Sequence, residues 1–437
     1  MQKRLNAVIQ DFELLKNKKI LVACSTGIDS MVLLDLCLKY LNKENIGIAH
    51  INHKKRIESE TEEEYIKNFA GKENLNIYIK HLSLNNDSNF QSWARKERYE
   101  FFKEIVETYK YDYVLLAHHA DDNLETILMR LLKSSSLKGY AGIEQLTTYQ
   151  GINIYRPLLK VDKEFISWYA KENNLIYFND CSNEEDDYQR NRIRHNIVPL
   201  LKLENPNLID AVNNYSNTLL EADKVLEEKL NLFIKTKVLI HNNNNNNVIV
   251  KEFDYVEFVK ESIFLKEQIL FRLTKEIGLS KKTILELINQ LSQKQKINNK
   301  VSDELSVIKE YGKVKIIIGK LLIPCFKINV EQEGLIDLPN GLSLYVERFN
   351  SLKKENNNKI CYNIKRLFVP SFPVTLRTKE EGDKIKLNSG TISLSDVLTN
   401  NKVNYLDRLN TIVVENNEQI INLLIYNQIE EDKNGGN

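Results

Sequence analysis

Short apolar runs alternate with helix-like segments through the first half of the chain. Four runs fit buried strands, at residues 19–24, 46–51, 77–82 and 113–117. After each run, apolar residues recur at helical spacing, in residues 31–41, 60–73, 91–109 and 122–133. This alternation predicts an α/β fold with an open, mostly parallel, twisted sheet and helices on both faces. Ligands of such sheets bind at the carboxyl ends of the strands, near the switch in strand order.

The pattern changes after Pro199, and 437 residues exceed the usual size of one domain. We predict a long amphipathic helix, a solvated asparagine-rich loop, a mostly helical stretch and a strand-like stretch, at residues 208–234, 242–247, 253–293 and 301–323. The chain is therefore divided into an α/β domain, a mostly helical middle domain with a small β element, and a small mixed α/β terminal domain, at residues 1–205, 206–330 and 331–437.

Composition narrows the class of protein. The formal net charge is only +1, so a nucleic-acid partner would have to be bound by local basic patches. The five cysteines are odd in number, widely spaced and free of C-x-x-C pairs, which argues against a disulfide framework and favours a reducing compartment. Residues 1–19 do not resemble a signal peptide, and no run is long enough to span a bilayer. We expect a cytoplasmic protein without membrane contact.

The strongest local motif follows the first predicted strand and opens a helix, with the residues Ser25, Thr26, Gly27, Ile28, Asp29 and Ser30. Small residues allow a sharp turn, and the N–H groups at a helix start attract a phosphate group. The motif matches neither the Walker A pattern nor the dinucleotide fingerprint. A carboxylate beside such a cradle fits a Mg²⁺ ion that bridges phosphates. The alternative is a capped helix start that binds no ligand.

A second motif, A-H-H-A-D-D-N-L-E-T at residues 117–126, ends the fourth predicted strand and enters a helix. It can face the same crevice as the first motif, because the carboxyl ends of parallel strands share one edge of a sheet. Asp121 and Asp122 can bind Mg²⁺ and orient a nucleophile, and His119 can contact phosphate or transfer a proton. An acidic helix start or a metal hydrolase would also fit, although no further histidines stand at ligand spacing.

Two basic segments complete the candidate site. Arg95 and Arg98 share one helix face, from which an arginine can clamp a phosphate or a carboxylate. Arg190 and Arg194 share a helix face in a strip, residues 190–202, that contains no acidic residue and suits phosphate groups. The alternatives are a solvated helix face for the first segment and ion pairs with the preceding acidic run for the second.

In this order the motifs resemble those of the tRNA(Ile)-lysidine synthetase family, over roughly residues 20–201 and more weakly beyond. The first motif is similar to the family's PP-loop, S-G-G-x-D-S, with Thr26 in place of a glycine. A small residue with a backbone N–H should be tolerated there. R-P-L-L at residues 156–159 and D-C-S-N at 180–183, followed by the arginines at 190 and 194, resemble two further family motifs. Several ordered motifs are together far more specific than one loop.

The resemblance implies a two-step reaction in the cytoplasm. ATP adenylates the carbon-2 oxygen of the wobble cytidine in an isoleucine tRNA with a CAU anticodon, and pyrophosphate leaves. The ε-amine of free L-lysine then attacks carbon 2 and expels AMP. Relatives in the family also lead us to expect a homodimer.

The resemblance also implies roles for individual residues. Mg²⁺ is expected at Asp29 and Asp122. The nucleotide is expected to contact residues 25–30 and Arg95. The expected catalytic residues are Asp29, Asp121, Asp122, His119 and Arg194.

The terminal segment follows the family less closely. Residues 377–383 fit the pattern R-x-x-x-x-G-D, whereas Ser393 and Ser395 replace paired lysines and Asn404 replaces a proline. Contact between this segment and tRNA would then depend on a basic patch formed by Lys384, Lys386, Lys402 and Arg408.

Two other interpretations stay open at this point. A different PP-loop tRNA-modifying enzyme, such as a tRNA thiolase, would handle sulfur through paired cysteines, which this sequence lacks. A tRNA-binding relative without catalysis would have no need of Asp29, Asp121, Asp122 and Arg194. The composition of the site therefore favours an enzyme.

Overall fold

The structure is a computed structural model with two compact units, Met1–Val225 and Leu226–Asn437. It describes residues 1–52, 54, 58–82, 90–133, 135–178, 189–243, 248–293, 295–320, 325–339, 341–349, 360–387 and 390–426. The predicted D-C-S-N motif lies outside the described residues. No helix in the described part of the chain is both long and apolar enough to cross a bilayer. The division into three domains at residues 205 and 330 stays a prediction.

The first unit contains the four predicted strands and the four predicted helices, with ends within three residues of the predicted ones. In chain order its elements are α1 (Gln2–Glu13), β1 (Ile20–Ala23), α2 (Ile28–Tyr40), a 3₁₀ turn (Lys43–Asn45), β2 (Ile46–Asn52), α3 (Glu58–Lys72), β3 (Asn76–His81), α4 (Phe90–Tyr109), β4 (Tyr113–Leu115), α5 (Ala120–Lys133), α6 (Leu137–Tyr140), β5 (Leu146–Tyr149), β6 (Ile152–Tyr155), α7 (Lys163–Glu172), α8 (Gln189–Arg192), a π-helical turn (Ile193–Ile197), α9 (Val198–Glu204) and α10 (Leu208–Lys237).

One twisted sheet organises this unit, with the strand order β3-β2-β1-β4-β6-β5. All neighbours pair in parallel except β5, which is an antiparallel edge strand. Side chains of β1 alternate between the faces, because Ile20 and Val22 pack with α1, α2 and α7, whereas Leu21 packs with α4. The predicted mostly parallel sheet with helices on both faces is confirmed.

The strand order reverses between β1 and β4. The chain runs outward from β1 through β2 to β3, and then returns to the other side of β1 to form β4. The connections after β1 and β4 therefore leave the sheet side by side at its carboxyl edge and open a crevice between them. The two predicted motifs are these connections.

The second unit adds short strands and short helices. In chain order they are β7 (Val238–Asn243), β8 (Val248–Asp254), α11 (Tyr255–Lys260), α12 (Ile263–Leu273), α13 (Lys281–Ser292), β9 (Ile297–Ser302), β10 (Leu305–Glu310), β11 (Lys313–Ile318), β12 (Lys327–Val330), β13 (Gly334–Asp337), β14 (Ser343–Arg348), β15 (Ile360–Tyr362), β16 (Arg366–Val369), β17 (Val374–Thr378), β18 (Lys384–Leu387), β19 (Gly390–Ser393), α14 (Leu394–Asn400), α15 (Tyr405–Leu409), β20 (Ile412–Asn416) and β21 (Gln419–Ile425).

The middle segment contains more sheet than the predicted small β element. Within the described residues, an antiparallel sheet of order β7-β8-β11-β10-β9 carries α12 and α13 on one face, around a core that includes Phe253, Ile269 and Ile316. The edge strands β7 and β9 contain asparagines and charged residues, which blur an apolar strand signal. Edge strands tolerate such polar side chains because one side of the strand faces solvent.

The terminal segment is mixed, as predicted, with β12-β17-β20-β21-β15 in one sheet, β13-β14-β16 in another, and a β18-β19 hairpin beside α14. Its R-x-x-x-x-G-D motif is internal. The Arg377 guanidinium donates to both carboxylate oxygens of Asp383, at 2.9 and 2.8 Å, and to Glu415 at 2.5 Å, and only 6% of the side chain is exposed. This arginine therefore holds β17 to β20 and is not presented to a partner.

We expect Arg377→Ala to destabilise this segment by about 3–5 kcal/mol, because it leaves two largely buried carboxylates without their cation. Hydrogen exchange of β17 and β20 amides in the full-length chain measures the effect on local opening.

Lys300→Ala is the control, because Lys300 and its partner Asp303, 2.7 Å away, are 68% and 90% exposed. Exposed pairs of this kind contribute at most about 1 kcal/mol. If the β17 and β20 amides were equally protected from hydrogen exchange in both variants, the structural role of Arg377 would be contradicted.

Candidate active site

The loop between β1 and α2 is shaped by its own serines. Ser30 Oγ accepts a hydrogen bond from the Ser25 N–H at 3.2 Å and donates to the Gly27 carbonyl at 2.9 Å. Gly27 is extended and helix α2 begins at Ile28, with Asp29 in its first turn. The first N–H groups of a helix lack partners within the helix, so this loop presents donors to the crevice.

Thr26 occupies the left-handed region, with φ = 65°, and its side chain is fully buried. This conformation costs a non-glycine residue on the order of 1–2 kcal/mol. Hydrogen bonds offset that cost. The single Thr26 Oγ1 hydrogen has two acceptors in reach, the Ser25 carbonyl at 2.5 Å and Glu62 at 3.3 Å, and the Thr26 carbonyl accepts from the Phe178 N–H at 3.1 Å. Threonine is therefore accommodated by its surroundings and not by its small size alone.

The turn between β4 and α5 faces this loop. His119 lies between the two motifs, with Nε2 3.9 Å from Asp29 Oδ1 and 3.5 Å from Asp122 Oδ2. On its other side, His119 Nδ1 is 3.5 Å from Asp121 Oδ2 and has no hydrogen-bond partner within the described residues. The structure thus places Asp29, His119, Asp121 and Asp122, all predicted from the sequence, in one cluster.

The adjacent histidines of this turn carry opposite pKa shifts. Burial lowers the pKa of His118 to about 4, and the positive charges of Arg156, Arg190 and Arg98 act in the same direction. Burial alone would also lower the pKa of His119, but the neighbouring carboxylates outweigh it and raise that pKa. His118 is therefore neutral near pH 7, whereas His119 favours the charged form.

Glu125 is the best-buried carboxylate of the cluster, with 2% of its side chain exposed. It accepts from Arg190 Nε at 2.7 Å and from Arg194 Nε and Nη2 at 2.6 and 3.0 Å. Arg190 and Arg194 also lie 3.5 and 3.4 Å from Asp122 Oδ1. Two arginines of the predicted basic strip thus form ion pairs with the second motif. The acidic run that precedes the strip lies outside the described residues.

Two lysines complete the cluster. Lys163 Nζ lies 2.5 Å from Asp29 Oδ1, and Lys202 Nζ lies 2.6 Å from Asp121 Oδ1. Four carboxylates therefore face four cations, namely Asp29, Asp121, Asp122 and Glu125 against Lys163, Lys202, Arg190 and Arg194. Lys202 ends the predicted basic strip, and spacing could have suggested Glu125, which stands one helical turn after Asp122. No local signal marks Lys163.

Arg95 lies with other basic residues. Its exposed guanidinium is 4.9 Å from the centre of the Tyr99 ring, and its charge contributes to lowering the pKa of Arg98 and Arg156, for which burial is the main cause. Arg156 of the R-P-L-L segment donates to the Glu144 carbonyl and to His118 Nδ1, and so fixes that histidine. A contact between Arg95 and a nucleotide stays a prediction.

Carboxylates suited to Mg²⁺ are present, although no group of three or more His, Cys, Asp or Glu side chains among the described residues is arranged to hold a metal ion. Asp29 and Asp122 approach the same nitrogen of His119 from two sides, at 3.9 and 3.5 Å. Mg²⁺ commonly uses only one or two protein carboxylates and takes phosphate oxygens and waters as its other ligands. The residues present therefore fit a metal ion that arrives with a phosphate ligand.

A phosphate-cradling turn and an acidic turn that meet at the switch point of a parallel sheet define a PP-loop nucleotide-binding domain. The PP-loop domain family indeed matches residues 1–201. The full chain is 30% identical over 425 residues to a tRNA(Ile)-lysidine synthase of Streptococcus pyogenes serotype M1, covering 94% of this chain and 90% of the relative. A tRNA(Ile)-lysidine synthase of Streptococcus sanguinis matches 93% of this chain and 89% of its own length, also at 30% identity. The chain belongs to the tRNA(Ile)-lysidine synthase family.

Solved structures resemble the chain more distantly. A U34-tRNA thiolase from Methanococcus maripaludis is 19% identical, with a TM-score of 0.42, and covers 50% of this chain and 78% of its own. An NH3-dependent NAD synthetase from Campylobacter jejuni is 17% identical, with a TM-score of 0.29, and covers 50% of this chain and 91% of its own.

We expect Glu125→Ala to lower the free energy of unfolding by about 2 kcal/mol, below the 3–5 kcal/mol of a fully buried pair, because both arginines can regain water. Glu125→Gln should recover part of this loss by keeping hydrogen-bond acceptors. Urea titration of the full chain measures both values.

Glu164→Ala is the control, because Glu164 is an exposed residue in the first turn of α7 and should change stability by less than about 0.5 kcal/mol. If Glu125→Ala were as stable as this control, Glu125 would not be the anchor of the two arginines.

Proposed function

We propose that the protein uses ATP to join free L-lysine to carbon 2 of the wobble cytidine in an isoleucine tRNA with a CAU anticodon. The observation that supports this most strongly is the meeting of the two motifs of a lysidine synthase family member in one cleft, with His119 between Asp29 and Asp122. The cleft thus combines phosphate-binding donors with the carboxylates that an amine substrate requires.

In the first step, the carbon-2 oxygen of cytidine attacks the α-phosphorus of ATP, and the bond from that phosphorus to the bridging oxygen breaks. Pyrophosphate leaves with the bonding electron pair. The N–H groups at the start of α2 stabilise the charge that develops on the phosphates. His119, with Nε2 3.9 Å from Asp29 and 3.5 Å from Asp122, lies where it can contact phosphate.

Asp29 and Asp122 would hold the Mg²⁺ ion, which neutralises phosphate charge when it is bound. Both side chains remain partly accessible, with 33% and 14% exposed, so an ion that arrives with the nucleotide can reach them. The cations that pair with Asp29 and Asp122 in the structure can then pair with the phosphates instead, so the charge of the cleft stays balanced.

In the second step, the ε-amine of lysine attacks carbon 2, and the bond between carbon 2 and the AMP oxygen breaks. Asp121 is held ionised, because the hydrogen bond from Lys202 and the positive charge of His119, 3.5 Å away, outweigh burial and lower its pKa. An ionised carboxylate attracts the ammonium group of lysine and can take the proton that the attacking amine loses. The Arg194 side chain is 35% exposed and can contact an anionic group of the substrates.

The remaining tRNA contacts depend on surface charge. Lys384, Lys386 and Lys402 are exposed and can bind the phosphate backbone. Arg408 contributes less to such a patch, because it donates to the Val403 carbonyl at 2.6 Å and to Tyr311 at 2.5 Å. A homodimer and a cytoplasmic location stay predictions.

Incubation with ATP, radiolabelled lysine and the CAU-anticodon tRNA tests the proposal. We expect lysine to enter the tRNA with one pyrophosphate and one AMP released per lysine. Pyrophosphate release without lysine transfer would indicate a different PP-loop tRNA-modifying enzyme. Binding of tRNA without ATP turnover would indicate a relative that has lost catalysis.

Asp29→Ala should abolish pyrophosphate release, by at least about 100-fold, while tRNA binding changes little, because Asp29 belongs to the nucleotide loop. Asp35→Ala, on the same helix and paired with Lys39 at 2.9 Å, is the control and should retain activity. If tRNA affinity fell and ATP turnover did not, the nucleotide assignment of the loop would be wrong.

A further inference from the structure

Lys163 is the first residue of α7, and both its backbone and its side chain contact the candidate site. Its N–H donates to Asp121 Oδ2 at 2.8 Å, and its Nζ reaches Asp29 Oδ1 at 2.5 Å. Two residues earlier along the chain, the Val161 carbonyl accepts a hydrogen bond from the Ala120 N–H at 2.8 Å. The start of α7 is therefore bound directly to the turn that carries the acidic motif.

The surrounding segment is held from its other side as well. Asp162 caps α7 by accepting from the Phe165 N–H at 2.9 Å, and it also pairs with Arg4 of α1 at 2.6 Å. Lys160 pairs with Asp11 of α1 at 3.1 Å. These contacts fix the backbone at residue 163, so its ammonium group can move only within reach of a lysine side chain around Asp29.

Among the four cations of the cluster, Lys163 is the one bound to the carboxylate of the nucleotide loop. Arg190 and Arg194 are bound to Glu125, and Lys202 is bound to Asp121. The Lys163 side chain is also 43% exposed, so it can leave Asp29 for another anion without being dehydrated further. An ion pair between such accessible groups holds weakly and exchanges readily.

We propose that Lys163 is a catalytic residue that binds the pyrophosphate leaving group of ATP and that it exchanges its pairing with Asp29 for one with the phosphates. This inference rests on the proposed function. A divalent cation held by Asp29 would repel the Lys163 ammonium group at hydrogen-bond distance and so favour its turning to the phosphates in the adjacent loop. As the bond to the α-phosphorus breaks and charge gathers on pyrophosphate, the Lys163 ammonium donates a hydrogen bond to it.

Lys163→Met and Lys163→Arg test the assignment in the full-length protein. Calorimetric titration with pyrophosphate in the presence of Mg²⁺ should show affinity reduced about 10- to 100-fold in Lys163→Met, the usual loss for one charge-assisted hydrogen bond. Lys163→Arg should bind within about fivefold of the wild type, because the charge is retained. In tRNA-dependent ATP cleavage, Lys163→Met should lower kcat more than it raises KM, because the leaving group carries most charge in the transition state.

Lys171→Met is the matched control: it removes an exposed lysine from the last turn of the same helix, α7, and it should bind pyrophosphate like the wild type. Wild-type affinity in Lys163→Met, or equal losses in the Met and Arg variants, would overturn the inference. Absence of pyrophosphate binding by the wild type would overturn it as well. If the wild type binds pyrophosphate and Lys163→Met does not, but no lysine enters tRNA, the proposed function fails while the role of Lys163 stands.

Discussion

Four carboxylates can stay ionised within one cleft only if cations neutralise them, and this requirement governs the architecture of the first unit. Asp29, Asp121, Asp122 and Glu125 come from the starts of two helices, whereas their cations come from α7 and from the helical stretch at residues 189–204. For Asp121 and Asp122, burial acts to raise the pKa, and the neighbouring positive charges outweigh it and lower the pKa. The segments that follow β6, the last parallel strand of the sheet, thus supply the positive charges that neutralise the acidic side chains of the site.

The strand order explains why two strand-to-helix connections are enough to bring the two motifs together. Because β1 lies between β2 and β4, the connections that follow β1 and β4 leave the same edge of the sheet as neighbours. Each connection starts a helix, so donors at the start of α2 and carboxylates at the start of α5 face the same space. Two turns therefore supply both the N–H groups that can bind phosphate and the acidic side chains. The later segments supply the cations that neutralise those acidic side chains.

Local sequence patterns were sufficient to predict that the two turns lie side by side. The sheet, its helices and the cluster of Asp29, His119, Asp121 and Asp122 followed from apolar runs and from motifs placed at strand ends. The pairing of Lys163 with Asp29 joins residues 134 positions apart, and that of Lys202 with Asp121 joins residues 81 apart. Helical spacing identifies neighbours within one helix only, so such pairs become visible only when the fold is known.

Thr26 shows that the shape of the nucleotide loop is imposed by its surroundings. Glycine would adopt a φ of 65° without strain, whereas threonine adopts it at a cost that contacts from outside the loop must offset. Those contacts come from Glu62 of α3 and from the Phe178 N–H after α7. Threonine also restricts the unfolded chain more than glycine does, which recovers part of the cost. The loop is therefore held in its phosphate-binding shape before a nucleotide arrives, and binding energy need not be used to create that shape.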